Sequence, residues 1–226
     1  MDAQRTDLRD RLVALDCEFV GVGCLGHVNA LARVSAVDGY GRVLIDTFVN
    51  PGTDDWPVTD WRTWVSGIGA ADVEGAPTPD EVRPRVRELL EGKILVGHGL
   101  HSDLEALQMQ HPPDMIRDTL GFPPLQRISK RMYPSLKTLA RIVLGLDAFQ
   151  SGRHDSVEDA TVTLQIYAKY AEEFERYIAE TGGQRPDKST PHYSHPAAKY
   201  LVAPEPTRAP VSAPAPPKIA ASGQLV

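Results

Sequence analysis

LVALDCEFV, residues 12–20, is the stretch on which the fold turns. Its length and its Val, Leu and Phe content predict a buried strand. Side chains alternate across a strand, so Asp16 and Glu18 share one face while Leu15, Cys17 and Phe19 share the other. Acids on an apolar strand are unfavourable unless a cation or hydrogen bonds compensate them. Two further acids sit at the ends of apolar segments: Asp103 in VGHGLHSDLEAL (96–107) and Asp159 in HDSVEDA (154–160). His154 stands five positions before Asp159. Four converging carboxylates would repel one another and would demand divalent metal, so the set points to a metal-dependent nuclease.

Outward from that strand, VNALARVSAV (28–37) and RVLIDTFV (42–49) predict a strand pair, with Asp38-Gly39-Tyr40-Gly41 as the turn. A Pro-, Asp- and Trp-rich loop is expected from Asn50 to about Gly69, then short helices near 70–74 and over 79–91. KILVG (93–97) reads as a strand and Met115–Arg117 as a short edge strand. A helix over 102–110 would start with Ser102 as N-cap and Glu105 closing a capping box, leaving Asp103 in the first turn. SLKTLARIVLG (135–145) predicts a helix stopped by Gly145. Val157, Ala160, Leu164, Tyr167, Ala171 and Phe174 predict one long helix over about 157–179, capped by Ser156, with Asp159 in its first turn. Strands followed by alternating helices and strands predict an α/β domain over 1–180, a central mixed five-stranded sheet flanked by helices. Beyond it, 181–226 is rich in Pro, Ala and Ser and is expected to stay unstructured, with APVSAPAPPK offering an extended segment to a protein partner.

Bulk properties narrow the function. The chain has 226 residues, of which 42% are hydrophobic and 24% charged, as in an ordinary globular protein. No run approaches the roughly 20 apolar residues that span a bilayer, so no membrane association is expected. MDAQRTDLRD at the start has no apolar core of a secretory signal, and only Cys17 and Cys24 are present. Both features predict an intracellular, reducing location. A net charge of −6 argues against a nucleic-acid coat protein, but the four acids supply four of those negative charges. Between Thr119 and Gly145 there is no acid, while Arg127, Lys130, Arg131, Lys137 and Arg141 all fall there, a candidate phosphate track.

Hard oxygen ligands suit Mg²⁺ or Mn²⁺. Two such ions about 3.5–4 Å apart clamp an in-line phosphodiester displacement, one activating the attacking water and the other stabilising the leaving 3′ oxygen. His154, with an ordinary pKa near 6.5, has the right chemistry for the general base. Cys17 reads as core, His98 as a structural hydrogen-bonder, and Trp61 and Trp64 as packing residues. Asp155 and Glu158 are expected to face solvent.

In order and spacing, ALDCEFVG, VGHGLHSDLEAL and HDSVEDA resemble the three motifs of the DEDDh 3′→5′ exonucleases, and particularly the RNA exonuclease 4 and interferon-stimulated small exonuclease group. The catalytic subunit of the Pan deadenylase is also similar. LARVSAV, VTDWRTWVSGI, Ile116-Arg117-Asp118-Thr119 and SLKTLARIVLG add to the likeness, which covers roughly residues 11–175. It implies an RNase H-like fold and two-metal hydrolysis of single-stranded RNA from its 3′ end, releasing nucleoside 5′-monophosphates. By motif, Asp16 would bind both ions, Glu18 and Asp159 would complete the water-activating site, and Asp103 would serve the second ion through water. His154 would be the base. Phe19, where the family usually has Met, would pack on the terminal base, and Arg62 would hold the terminal ribose or phosphate. A nuclear, nucleolar or cytoplasmic place would follow, although the long basic extension common in ribosome-biogenesis members is absent from the N-terminus. A proofreading-type DNA exonuclease shares the same site chemistry, and a catalytically silent RNA-binding module is the reading from another class.

Overall fold

The computed structural model describes residues 7–51 and 56–186. After a single helical turn, α1 (Leu8–Arg11), the expected strand runs as β1 (Leu12–Val22). β2 (Val28–Asp38) and β3 (Val43–Phe48) form the expected hairpin, closed by Gly41 N–H donating to the Asp38 carbonyl at 2.9 Å. β5 (Ile94–Gly97) and β6 (Ile116–Asp118) complete the five strands read from sequence. β4 (Val58–Asp60) is a sixth, inside the stretch expected to be loop. The main path is β3-β2-β1-β5-β6, with β4 paired to β1. β1–β2, β2–β3 and β1–β4 are antiparallel, and β1–β5 and β5–β6 parallel. This is the mixed sheet expected of an RNase H-like fold.

Alternation along β1 divides the core. Leu12 and Ala14 join the cluster under α7 (Leu136–Leu139, continued as a π turn over Ala140–Leu144), α8 (Ser156–Lys169) and α9 (Ala171–Thr181). Val13, Leu15 and Cys17 face α4 (Pro79–Leu90) and α5 (His101–Ala106), against Val82, Val86, Leu90, Leu100 and Leu104. Cys17 is therefore core, as expected, and Asp16 and Glu18 continue the α8 side. Two small helices, α2 (Thr63–Ser66) and α3 (Ala70–Val73), sit over a third cluster with Trp61 packed at its edge. Trp64 was expected to pack but is 69% exposed.

Several helix ends differ from the local reading. α5 begins at His101 with Leu100 as its cap residue, and Ser102 makes no cap bond. The free N–H groups before this helix are taken by a tertiary partner instead. The Asp118 carboxylate accepts from Gly99 N at 2.8 Å and Leu100 N at 3.0 Å. Gly97 is required at this bend, because any Cβ there would collide with the Leu100 side chain. The long helix expected over 157–179 breaks at Tyr170 into α8 and α9, and α9 turns to stack Phe174 on Phe122 with ring centroids 3.6 Å apart. Asp155, not Ser156, caps α8, accepting from Val157 N and Glu158 N at 3.0 and 3.1 Å. α6 (Pro123–Ser129) is an added helix opened by its two prolines. Arg117, in one of the stretches of family likeness, is 3% exposed and ties β6 to α9 through Glu175 at 2.7 Å. Gln184 is buried against Asp118. The Pro-rich segment beyond Pro186 lies outside the described residues.

Candidate active site

β5 pairs with β1 only as far as Ala14, and β4 rejoins the same edge of β1 at Gly21. Between them that edge is open, and a cleft of 420 Å³ forms beside it. Crevices at the carboxyl ends of parallel strands, where the topology switches, are where open α/β sheets bind ligands. Asp16, Cys17, Phe19, Asp103, His154 and Asp159 all line this cleft. Five of the predicted site residues, from three distant motifs, are therefore brought together here with Phe19, Glu18 being joined to His154 and Asp159 through its carboxylate.

Each acid is positioned by a different element. Cys17 N–H has no strand partner on the open edge, and the Asp103 carboxylate accepts it at 2.9 Å from 86 residues away. A register shift between β1 and β2 after Glu18 re-aims the strand beside the site. Asp16 lies opposite Ser35 and Glu18 opposite Arg33. Ser35 meets Ser156 at 2.6 Å, which seats the start of α8 on this polar patch. Arg33 binds Asp46 at 2.8 Å and reaches Asp155 at 3.4 Å. Asp159 is then delivered in the first turn of α8, where the helix dipole favours negative charge.

His154 is on a loop, as expected, held by its N–H donating to the Val65 carbonyl at 3.1 Å. Its Nδ1 is 3.6 Å from Asp159 Oδ2. Ligand atoms of Glu18, His154 and Asp159 all lie within 4.8 Å of one another. Two buried oxygens in this group, Glu18 Oε1 and Asp159 Oδ1, accept no hydrogen bond. Leaving buried carboxylate oxygens uncompensated costs several kcal/mol, so a proton or a cation is needed there. The donor set, carboxylate oxygens and one imidazole, fits a divalent cation.

Local electrostatics say the same. Burial pushes Glu18 up to about 8, helped by Asp159 and opposed by Arg33. Burial raises Asp103 to about 7 against the hydrogen bonds from Cys17, and Asp159 to about 7 against one from Gln150. Asp16 is also well above the carboxylate range, through burial and then the charges of Asp159, Asp103 and Glu18. His154 is lowered, by burial and then by Lys137.

A pH prediction follows for metal-free protein. In the unfolded chain these acids ionise near 4, while folded they keep protons up to about 7 or 8. The folded state binds more protons across that window, so this contribution to stability is full below about pH 4 and is lost as pH rises to about 8. Melting in EDTA should fall by at least roughly 5–10 °C between pH 5 and pH 8, the fall that one such acid alone would give at about 2–4 °C per kcal/mol for a domain of this size. Mg²⁺ or Mn²⁺ should restore it at pH 8 by binding only the folded state. A flat melting profile with no metal response would mean that the acids are not a repelling set.

Arg62 is not among the residues lining this cleft. Its guanidinium donates to Asn29 Oδ1 at 2.7 Å and the Gly26 carbonyl at 2.8 Å, and Asp60 lies 3.7 Å away. Reaching a ribose or phosphate would require exchanging those bonds. His98 meets Thr119 at 2.9 Å, the structural role expected. Asp155 is half exposed, but it is a cap and an Arg33 partner rather than an idle neighbour. Arg127, Lys130, Arg131, Lys137 and Arg141 are all exposed on α6, its end and the α7 segment, next to Tyr133, Pro134 and Ser135 of the cleft. Sequence reading missed Arg33, Asp118 and Gln150. Arg33 and Asp118 lie in stretches of family likeness, LARVSAV and 116–119, but only the strand register and the loop geometry show what the three residues contact.

Residues 13–167 match the family described as Exonuclease, of RNase T type. RNA exonuclease 4 of Cryptococcus neoformans is 47% identical over 166 residues, covering 74% of this chain and 40% of that protein. RNA exonuclease 4 of Kluyveromyces lactis is 48% identical over 173 residues, covering 76% and 58%. This chain thus spans between two fifths and three fifths of the length of these relatives. Among solved structures, the Saccharomyces cerevisiae Pan2 pseudoubiquitin hydrolase–RNA exonuclease module in complex with A7 RNA aligns with a TM-score of 0.61 at 31% identity, covering 80% of this chain and 31% of that one.

Proposed function

The chain belongs to the exonuclease family, and from that membership we propose that it is a metal-dependent exoribonuclease that shortens single-stranded RNA from the 3′ end and releases nucleoside 5′-monophosphates. The observation that carries the reading is the pair of unpartnered buried oxygens, Glu18 Oε1 and Asp159 Oδ1, beside His154 in the cleft that Asp16 and Asp103 line. Asp16, Glu18, Asp103 and Asp159 would hold two divalent ions, Mg²⁺ or Mn²⁺. When bound, such ions offset the carboxylate repulsion and stabilise charge developing on phosphate oxygens.

The chain's own groups do the rest. His154 is kept neutral at pH 7 by its lowered pKa, so its imidazole can take a proton from the attacking water. Phe19, at the cleft wall, offers a ring face to the terminal base, a contact that tolerates any base. The exposed basic residues of α6 and α7 offer phosphate contacts leading to the cleft mouth. The Pan2 module's complex with A7 RNA supports single-stranded RNA as the substrate class. Such a substrate suits work inside the cell, in nucleus or cytoplasm.

The test uses matched 5′-labelled single-stranded RNA and DNA with Mg²⁺, Mn²⁺ or EDTA. A ladder shortening from the 3′ end, metal-dependent and faster on RNA, is the expected result. Faster loss of DNA would move the activity to the proofreading type. Binding of RNA without hydrolysis under any metal would leave a binding module.

A further inference from the structure

We propose that Gln150 is a positioning residue for Asp159, turning its carboxylate so that Oδ1 faces the cation site. The inference rests on the metal-dependent reading above. Gln150 lies in the loop between α7 and α8, and its Nε2 donates to Asp159 Oδ2 at 2.8 Å. With a cation beside it Asp159 would be ionised and could only accept, which suits the amide nitrogen as the end that faces it. The two oxygens of a carboxylate share one plane. Pinning Oδ2 therefore fixes Oδ1, the buried oxygen that has no hydrogen-bond partner.

The loop is built to hold that amide in place. Phe149, beside it in sequence, is 5% exposed and belongs to the core under α8. On the other side, the Gln150 carbonyl accepts from Lys137 Nζ at 2.7 Å. Gln150 itself has φ +51°, in the left-handed region that costs a non-glycine residue free energy. Glycine would fit that backbone more easily, so the backbone gives no reason for glutamine and the side chain does. The same Asp159 Oδ2 is 3.6 Å from His154 Nδ1. The amide is the closer of the two to that oxygen, so Gln150 rather than His154 is its hydrogen-bond partner.

A loop staple and a positioning residue respond differently to substitution. Q150G relieves the left-handed backbone while removing the donor, and Q150M keeps the bulk while removing the donor. Mn²⁺ binding to the full chain would be measured by the loss of the free-ion paramagnetic resonance signal, with melting in EDTA recorded alongside. Hydrogen bonds to metal ligands are typically worth 10–100-fold in metal affinity. Both variants should bind Mn²⁺ about 10–100-fold more weakly, and Q150G should do so while keeping its melting temperature. Wild-type Mn²⁺ affinity in folded Q150G or Q150M would overturn the assignment, whatever happens to stability. If the wild-type chain itself binds no Mn²⁺, the metal reading of the cleft fails, and Gln150 has no such role.

Discussion

Asp16→Asn protein should fold normally and show no metal-dependent release of nucleotide from single-stranded RNA. The substitution keeps the shape of the side chain and leaves the β1–β2 pairing of position 16 with Ser35 untouched. It replaces a carboxyl whose pKa burial, and then the charges of Asp159, Asp103 and Glu18, raise well above the carboxylate range in the metal-free protein. Because an amide does not titrate, the stability that a raised-pKa carboxyl loses as pH rises is not lost in Asp16→Asn, which should melt in EDTA at pH 8 at or above the wild-type temperature. Divalent metal should stabilise it less than wild type, since a ligand charge is gone. Loss of activity joined to equal or greater stability is a pair of results that misfolding does not produce. Normal turnover in the folded variant would remove Asp16 from the chemistry and with it the two-ion reading.

The second large effect is expected at His154. Replacing it with alanine should lower kcat by about 10²–10⁴-fold, the usual worth of a general base. Its side chain is one third exposed, and the backbone bond to Val65 does not depend on the imidazole. The fold should therefore survive, with surface-scale changes in stability. The pH profile is the sharper readout. Burial, and then the nearby Lys137 charge, lower the His154 pKa below its ordinary 6.5. A lowered histidine is neutral, and able to accept a proton, above that value. Wild-type rate should therefore rise with pH on a limb centred below 6.5 and level off by neutrality, and this limb should vanish in His154→Ala. An identical profile in both proteins would assign proton removal to another group.

Metal dependence itself supplies a control for both experiments. The free acids keep their protons to about 7 or 8, so cation binding must displace them and should tighten as pH rises. Rate measurements across pH therefore need saturating metal at every point. Without it, a limb arising from the carboxylates could be mistaken for His154.

What the sequence by itself determined is the part that is local. Alternation along LVALDCEFV put Asp16 and Glu18 on one face of β1 and Leu15 and Cys17 on the other, because strand side chains alternate whatever surrounds them. The turn at Asp38–Gly41, the five strands and the first-turn places of Asp103 and Asp159 follow from equally short-range patterns. The grouping of the acids was implied by the likeness of the ordered motifs to a known family, not by any short-range pattern. Tertiary structure decided which groups complete those residues. Asp118 satisfies the start of α5 in place of Ser102, Arg33 stands opposite Glu18, and α8 ends at Tyr170 so that Phe174 can stack on Phe122. Gln150 reaches Asp159 only because its loop closes in the left-handed region between two anchors. Periodicity records which side of an element avoids water. It holds no record of which donor, dozens of residues away, the finished packing brings within 3 Å of a buried carboxylate.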